Sequence, residues 1–281
     1  MKQVVAEVID NRQILRELKR RQDIPRPRPR DVLGSWVIHL RCPEVAYESR
    51  PGQFVMVRCG GECILLRPFS IHKVSDEGIS LFFAVWEDGK GTKWLSERCK
   101  GETVEVLGPL GNGFTIQSGS RNLLLVAGGT GIAPLYFLAE QALKLEYNVK
   151  LLRGASGEYK TSVERNPIQH YPEELLPPEL ERETITSSPD GQKDMVTDLL
   201  PKSTGWADQV FACGPLPMYK AMAQMPELQD KSVQVSLEIR MGCGMGTCYA
   251  CTIRTRKGLK QVCKDGPVFE LNDIIWEEIR I

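Results

Sequence analysis

The residues Leu124-Leu125-Val126-Ala127-Gly128-Gly129-Thr130-Gly131-Ile132-Ala133-Pro134 join an apolar run, a glycine-rich turn and the start of a helical pattern. The helical pattern continues from Pro134 to Leu145. Two further apolar runs, at Asn148 to Leu152 and at Gln209 to Ala212, have the composition of buried strands. A strand, a turn and a helix in this order begin a βαβ unit, so we predict a parallel sheet in the middle of the chain.

The glycine turn is also a candidate nucleotide site. It lacks the complete G-x-G-x-x-G fingerprint, but its glycines would let a diphosphate approach the backbone where a helix starts. The strand at Gln209 ends in Cys213, which should reach the same carboxyl edge, where ligands of parallel sheets bind. A tight βα turn and a buried thiol are the simpler alternatives. The candidate residues are Gly128, Gly129, Thr130, Gly131, Cys213, Gly214 and Pro215.

The region before this sheet has the pattern of short strands separated by Gly, Pro and Asp. Branched and aromatic residues recur in each strand, and this spacing predicts an antiparallel β-barrel. The predicted strands are Val4 to Ile9, Trp36 to Leu40, Gln53 to Val57, Ile64 to Leu66, Ile79 to Val85 and Thr103 to Leu107. We therefore predict a multidomain β plus α/β protein, with a barrel over residues 1–118, a nucleotide-binding α/β domain over 119–232 and a small module over 233–281.

A candidate flavin site lies in the predicted barrel, at Arg67-Pro68-Phe69-Ser70. The planar guanidinium of Arg67 can pair with a diphosphate, and Ser70 can hydrogen-bond the edge of a flavin ring. A strand end with a surface Arg and a buried Phe is the alternative. The turn Gly89-Lys90-Gly91-Thr92 favours the flavin, because an amide-rich turn at a helix start can bind phosphate.

Four of the nine cysteines lie close together near the C-terminus. Cys243, Cys248, Cys251 and Cys263 follow the pattern C-x4-C-x2-C…C, which is the thiolate spacing of plant-type [2Fe–2S] ligation. We expect Gly242, Gly244 and Gly246 to adopt positive φ and to point amide N–H groups at the cluster sulfurs. A zinc site or inert thiols are the alternatives. The other five cysteines are scattered, and we predict that they bind no cluster.

Composition and charge exclude other classes of protein. The 281 residues are 42% hydrophobic and 26% charged, with 36 basic and 36 acidic side chains. A balanced charge disfavours a nucleic-acid binder, and no apolar run approaches a membrane span. The N-terminus lacks the pattern of a signal peptide, so we expect a cytoplasmic protein. The basic segment Lys19 to Arg30 is interpreted as a solvated loop or, alternatively, a docking arm for an acidic partner.

These motifs, in this order, resemble the electron-transfer subunits of two-subunit, NAD-dependent dihydroorotate dehydrogenases, which belong to the ferredoxin reductase superfamily. The resemblance extends from Pro51 to Phe269. Its most specific parts are Arg67 to Ser70, Leu107-Gly108-Pro109-Leu110-Gly111-Asn112-Gly113-Phe114, Cys213 to Met218 and Glu238 to Cys243 through Val262 to Phe269. The resemblance implies a barrel that binds FAD, an α/β domain that binds NAD(H) and a cysteine module that holds a [2Fe–2S] cluster.

The resemblance also implies roles for individual residues. Pro68 and Phe69 would bind FAD together with Arg67 and Ser70. Ala84, Val85 and Trp86 would lie against FAD, although Trp86 stands where the family pattern has Arg, and Gly91 and Thr92 would contact the diphosphate. The choice of NADH over NADPH rests on the resemblance alone, because the turn after Leu152 contains Arg153, Ser156, Glu158 and Lys160, a mixture that suits either nucleotide.

The chemistry of the three sites implies one order of electron transfer. A nicotinamide gives up two electrons together as hydride, whereas an iron–sulfur cluster accepts one at a time. A flavin can do both, so it should stand between them. The resemblance implies an FMN-containing catalytic subunit as the partner, in a heterotetramer of two copies of each subunit that serves pyrimidine biosynthesis. The expected net flow runs from dihydroorotate to NAD⁺, and this chain shows neither a dihydroorotate site nor a catalytic residue.

Two other functions remain as alternatives. A reductase subunit of a hydrogenase, a sulfide dehydrogenase, a bifurcating transhydrogenase or a ferredoxin-NADP oxidoreductase would share the barrel and the nucleotide domain. Because all four predicted ligands are cysteines, the dihydroorotate dehydrogenase interpretation is favoured. A non-catalytic metal-binding module would need neither Arg67 to Ser70 nor the glycine turn.

Overall fold

The structure is a computed structural model that describes residues 1–18, 32–155, 176–178, 180–186 and 195–279. The basic segment Lys19 to Arg30 and the residues Ser156, Glu158 and Lys160 lie outside these ranges. Within them, no helix has both the length and the apolar character needed to span a bilayer.

The first part of the chain forms a closed antiparallel barrel. Its strands are β1 (Lys2–Leu18), β2 (Val32–Arg41), β3 (Phe54–Val57), β4 (Arg67–Ser75), β5 (Gly78–Trp86) and β6 (Thr103–Leu110). Their order around the barrel is β1-β2-β5-β4-β3-β6, and β6 pairs with β1 to close it. Two short helices, α1 (Pro43–Ala46) and α2 (Lys90–Ser96), lie between strands. The interior is filled by branched side chains such as Val8, Ile38 and Leu81.

One predicted strand of the barrel is wrong. The apolar residues Ile64 to Leu66 lie in the loop before β4, and the Ile64 side chain is 89% exposed. Strand β4 begins only at Arg67, which is the partner of Val57 at the end of β3. Because β3 ends at Val57, the residues before Arg67 have no neighbouring strand with which to pair.

The second part of the chain forms a six-stranded sheet. Its elements are β7 (Asn122–Gly128), α3 (Ile132–Lys144), β8 (Asn148–Ala155), β9 (Glu181–Thr186), α4 (Leu200–Thr204), β10 (Gln209–Cys213), α5 (Leu216–Met222) and β11 (Ser232–Ser236). These strands are parallel, in the order β11-β10-β7-β8-β9. The predicted combination of a barrel and a parallel-sheet α/β unit is confirmed.

The C-terminal segment packs against both parts. A hairpin of β12 (Thr252–Thr255) and β13 (Gly258–Gln261) leads into α6 (Val262–Asp265) and β14 (Val268–Glu270). Strand β14 joins the edge of the large sheet antiparallel to β11. One hydrophobic cluster contains Met56 of the barrel, Val126 of the sheet and Cys263 of this segment. The segment therefore shares a core with both units.

The barrel and the sheet meet along α3. The His72 ring of β4 is buried against this helix, and its Nδ1 lies 3.0 Å from the Ala133 carbonyl oxygen. Lys73 forms an ion pair of 3.1 Å with Glu140. These contacts hold the strand that contains Arg67 to Ser70 against the helix that follows the glycine turn.

Candidate functional site

The predicted flavin residues Arg67 and Gly91 lie side by side. A Cβ atom added to Gly91 would stand 3.2 Å from Arg67 Cγ and 3.3 Å from Nε, so the arginine side chain crosses directly over the first turn of α2. Amide groups in a first helical turn have no partner within the helix. A cation beside the amides of a first helical turn suits a diphosphate, so these residues fit the phosphate end of a flavin nucleotide.

The neighbouring side chains of β4 alternate between the two faces of the barrel wall. Phe69 is buried and packs edge-on against Phe83, with ring centroids 5.6 Å apart. Ser70, the residue after Phe69, is half-buried and lies on the outer face, whereas Arg67 is half-buried at the start of the strand. On β5, Val85 is buried in the barrel core while Ala84 and Trp86 are half-buried. Side chains for a ligand on the outer face therefore come from Ser70, Ala84 and Trp86, with Arg67 at the start of β4, whereas Phe69 and Val85 could contribute only backbone.

The glycine turn and Cys213 meet at the carboxyl edge of the sheet. Strands β7 and β10 are neighbours, with Ala127 paired to Cys213, and the chain turns through Gly129–Gly131 into α3. Gly131 packs against the Cys213 carbonyl so closely that any Cβ atom would overlap it. Gly129 has a φ of 57° and open space around its Cα, and both Gly129 and Thr130 are exposed. The turn thus presents backbone to solvent, as a nucleotide diphosphate requires.

Behind this turn lies a polar network. The Cys213 thiol faces a Glu238 carboxylate oxygen at 3.9 Å. The Tyr219 hydroxyl accepts a hydrogen bond from the Gly214 amide at 2.8 Å and donates one to the Ser236 carbonyl at 2.6 Å. Burial and the neighbouring Glu238 raise the pKa of Cys213 well above its usual value, so Cys213 is a neutral thiol.

Glu238 is a candidate site residue that the sequence prediction did not single out. Its side chain is exposed, yet surrounding protein desolvates the carboxyl group enough to raise its pKa, as expected for the wall of a cleft. Glu238 could have been predicted from its position, because it follows strand β11 at the same edge of the sheet as Cys213. A functional side chain is expected at such a place.

The four predicted cluster ligands come together as two pairs of thiols. Cys243 lies beside Cys248, and Cys263 lies beside Cys251. Among the residues that the structure describes, no three His, Cys, Asp or Glu side chains surround one point closely enough to hold a single metal ion. Two thiolates for each of two irons is the ligand requirement of a [2Fe–2S] cluster, so the donor set fits that group.

Backbone amides already point at these sulfurs. The Met245 amide lies 3.4 Å from Cys243 Sγ, and the Cys263 amide lies 3.4 Å from Cys251 Sγ. Partial burial opposes ionisation of Cys243, but hydrogen bonds from Thr247, Met245 and Cys248 outweigh it and lower the pKa of this thiol to about 5. Cys251 and Cys263 are buried, whereas Cys248 is exposed. The cluster would therefore be held by Cys251 and Cys263 from the buried side and by Cys248 from the surface.

The expected role of the glycines in this loop is only partly correct. Gly244 and Gly246 have φ values of 75° and 85°, as predicted, whereas Gly242 is not in the positive-φ region. Gly242 instead gives room to a ligand, because a Cβ atom there would lie 3.1 Å from Cys248 Sγ. The spacing of the glycines in the sequence does not show whether a glycine is needed for its positive φ or because a side chain would collide with a neighbouring atom.

Comparisons with known proteins agree with this arrangement. Residues 238–275 match the family model described as the iron–sulfur cluster binding domain of dihydroorotate dehydrogenase B. The chain is 38% identical over 237 residues to the dihydroorotate dehydrogenase B (NAD(+)) electron transfer subunit of Geobacillus sp. (strain WCH70), covering 81% of this chain and 87% of that protein. The corresponding subunit of Desulforamulus reducens is 34% identical over 257 residues, covering 87% of this chain and 94% of that protein.

Solved structures show the same fold. A chain of the NADH-dependent reduced ferredoxin-NADP oxidoreductase superposes with a TM-score of 0.75 at 26% identity, covering 98% of this chain and 91% of that chain. A single-residue mutant of the ferredoxin-NADP⁺ reductase of Plasmodium falciparum superposes with a TM-score of 0.60 at 13% identity, covering 83% of this chain and 96% of that chain. On its similarity to curated relatives over most of its length, the chain belongs to the family of electron transfer subunits of dihydroorotate dehydrogenase B.

Proposed function

We propose that this chain passes electrons between a nicotinamide nucleotide and a separate catalytic subunit of dihydroorotate dehydrogenase, by way of FAD and a [2Fe–2S] cluster. One observation carries the proposal. A single folded unit combines the Arg67 and Gly91 site, the glycine turn beside Cys213 and the paired thiols around Cys251. A non-catalytic metal-binding module would require only the last of these.

The residues of the chain bind and orient, and they supply no covalent chemistry. When bound, FAD exchanges two electrons with a nicotinamide and single electrons with an iron–sulfur cluster. Arg67 would hold the flavin diphosphate, and the backbone of Gly129 and Thr130 would hold that of the nicotinamide nucleotide. Cys213, which is buried, and Glu238, whose carboxylate it faces at 3.9 Å, lie beside this turn and would contact the bound nicotinamide nucleotide.

The full set of proposed ligands follows the sequence prediction. For FAD they are Arg67, Pro68, Phe69, Ser70, Ala84, Val85, Trp86, Gly91 and Thr92. For NAD(H) they are Gly128, Gly129, Thr130, Gly131, Cys213, Gly214 and Pro215, and for the cluster they are Cys243, Cys248, Cys251 and Cys263. The supporting geometry is the adjacency of these residues within each group, with the backbone of Phe69 and Val85 in place of their buried side chains.

The partner and the organisation of the chain are part of the proposal. The relatives are named as electron transfer subunits, which implies a catalytic partner. We assign FMN and the dihydroorotate site to that partner, in a heterotetramer with two copies of each subunit. We place the divisions of the chain near residues 118 and 232. A reducing cytoplasm suits a protein whose nine cysteines include four cluster ligands.

A second candidate function has a specific observation behind it. The NADH-dependent reduced ferredoxin-NADP oxidoreductase chain covers almost the whole of this one at a TM-score of 0.75. A reductase subunit of such a complex would use the same three sites with a different partner. Dihydroorotate-dependent reduction of NAD⁺ after reconstitution with the FMN subunit distinguishes the two functions, because a ferredoxin-NADP oxidoreductase subunit would not support it.

Stopped-flow spectroscopy tests the electron-transfer function on the purified chain. NADH should decrease the flavin absorbance first, and the cluster absorbance should follow. A Cys248→Ser variant should keep the first change and lose the second, because the NADH and FAD residues lie outside the cysteine loop. Reduction of the cluster by NADH in protein stripped of FAD would contradict the proposed order, since a hydride donor has no direct one-electron route to iron.

A further inference from the structure

The sequence motif Leu107 to Phe114 has no role in the sites described above, yet it lies between two of them. It comprises the end of β6 and the turn that leaves the barrel. In this turn Asn112 faces the segment that carries the fourth cysteine, Cys263, which is more than 150 residues away in sequence.

The Asn112 side chain uses its full hydrogen-bonding capacity at this contact. Its Nδ2 donates to the Asp265 carbonyl at 3.1 Å and to the Val268 carbonyl at 2.8 Å. Its Oδ1 accepts from the Val268 amide at 3.1 Å and from the Gly113 amide at 2.8 Å. The Asn112 amide also donates to the Gly266 carbonyl at 2.7 Å. A carboxamide offers two donors and two lone pairs, and here all four have partners.

The same turn is tied to the strand that contains the proposed FAD residues. Gln53 precedes β3, and its Nε2 donates to the Gly111 carbonyl at 2.8 Å. The Gln53 carbonyl accepts a hydrogen bond of 3.0 Å from the amide of Ile71, the residue after Ser70. Hydrogen bonds therefore lead from the flavin strand through Gln53 and the turn to the segment that follows Cys263.

Two close contacts reinforce this connection. A Cβ atom on Gly111 would stand 2.5 Å from Pro267 Cδ, so the turn and the Cys263 segment touch along their backbones. Met56 is fully buried, pairs with Pro68 across β3 and β4, and packs so tightly on Gly244 that a side chain there would overlap it. The flavin strands and the cysteine loops are thus in direct contact.

We propose that Asn112 is a positioning residue that fixes the Cys263 segment against the flavin barrel and so sets the separation of flavin and cluster. This inference rests on the proposed function. The segment has little regular structure of its own, because α6 contains 4 residues and β14 contains 3. Electron transfer rates fall steeply with distance, so a small displacement of Cys263 should slow transfer to the cluster without affecting NADH oxidation.

Two substitutions and a matched control test this role. Asn112→Asp keeps the acceptor oxygen for Val268 but removes the donor to the carbonyls of Asp265 and Val268, and Asn112→Ala removes both. Asn148→Ala is the control, because the Asn148 side chain is exposed and its 2.8 Å hydrogen bond to Asn122 lies on the nucleotide-binding sheet. If Asn112→Ala does not fold, Asn112→Asp carries the same comparison.

Hydrogen–deuterium exchange and stopped-flow spectroscopy supply independent measurements. Exchange over residues 263–269 should become about tenfold faster in both Asn112 variants, the loss expected for one or two hydrogen bonds. Flavin reduction by NADH should stay within about twofold of the parent, whereas cluster reduction should slow at least about fivefold, because the misplacement affects only the second step. An Asn112 variant that loses iron and sulfide but retains FAD would also support the inference, because the cluster ligands would then no longer be held in place.

Each contrary result overturns the inference. Faster exchange with an unchanged rate of cluster reduction would make Asn112 a structural residue only. If hydrogen–deuterium exchange and both reduction rates in the Asn112 variants equal those of Asn148→Ala, Asn112 has no role in positioning the Cys263 segment. If NADH reduces neither flavin nor cluster in the parent protein, the proposed function is wrong and this inference falls with it. The contrary results for the Asn112 variants described above overturn the inference alone, so the two failures are distinguishable.

Discussion

The buried His72 should make the stability of this protein depend on pH in a way that one substitution removes. Its ring lies between the barrel and α3, 4.3 Å from the Tyr136 ring and 5.6 Å from the Phe82 ring, measured between centroids. Because a carbonyl oxygen only accepts, Nδ1 must carry a proton to bond the Ala133 oxygen at 3.0 Å. Burial lowers the pKa of His72 from 6.5 to about 4, although this hydrogen bond opposes the shift.

The direction of the effect follows from this lowered pKa. Between pH 6.5 and pH 4 the unfolded chain binds a proton at His72 that the folded chain does not bind. Stability is therefore complete above pH 6.5 and decreases as the pH falls to 4. The shift corresponds to about 3 kcal/mol at pH 4 and about 2 kcal/mol at pH 5. The pKa of His39 is also lowered, mainly by burial, so it adds a contribution of the same sign.

The assay compares urea unfolding of the parent and of His72→Asn from pH 7.5 to pH 4. Asn offers a donor near the position of Nδ1 but does not titrate. The variant should be less stable than the parent at neutral pH, because the smaller side chain replaces a buried ring. Its free energy of unfolding should nevertheless fall by about 3 kcal/mol less on acidification. Acid damage to the cluster affects both proteins and cancels in this difference. A His39→Asn control retains His72 and should keep the excess loss. Parallel stability curves for the parent and His72→Asn would refute the reasoning.

Three further predictions concern the cofactor sites. Cys248→Ser should abolish bound iron and sulfide but leave FAD, whereas Cys213→Ser should keep the cluster; full cluster content in Cys248→Ser would contradict the ligand assignment. Arg67→Ala should weaken FAD binding by about ten- to hundredfold in titrations of the apoprotein, through loss of a charge-assisted hydrogen bond, and an unchanged affinity would exclude this role. Gly131→Ala should cost about 1–3 kcal/mol in unfolding experiments, because its Cβ overlaps the Cys213 carbonyl; Gly205→Ala, at an open position, is its control, and equal stabilities would disprove the overlap.

Much of the fold could be predicted from sequence because it depends on local patterns. The strand, turn and helix around Gly128 are encoded in consecutive residues, and their periodicity reports which faces are buried. The run Ile64 to Leu66 failed because an apolar run becomes a strand only where a partner strand is available, and β3 has already ended at Val57. Whether a partner is present depends on distant parts of the chain.

The sequence alone determined the chemistry of the site. Spacing specifies which thiols one loop can present, so Cys243, Cys248 and Cys251 are predicted as ligands from their positions in the chain. The residue types Arg67 and Gly91 likewise specify what each position can bind. These properties belong to single side chains and short segments, and folding does not change them.

Only the tertiary structure decided how these parts face one another. It paired Cys251 with Cys263, placed Glu238 against Cys213 and joined Asn112 to the residues around Val268. No local pattern encodes such contacts, because each one joins segments that are distant in sequence. These segments come together only when the barrel closes, the parallel strands pair and β14 joins the edge of the sheet. The identity of the ligands is therefore a property of the sequence, whereas the distances between the sites are a property of the packed chain.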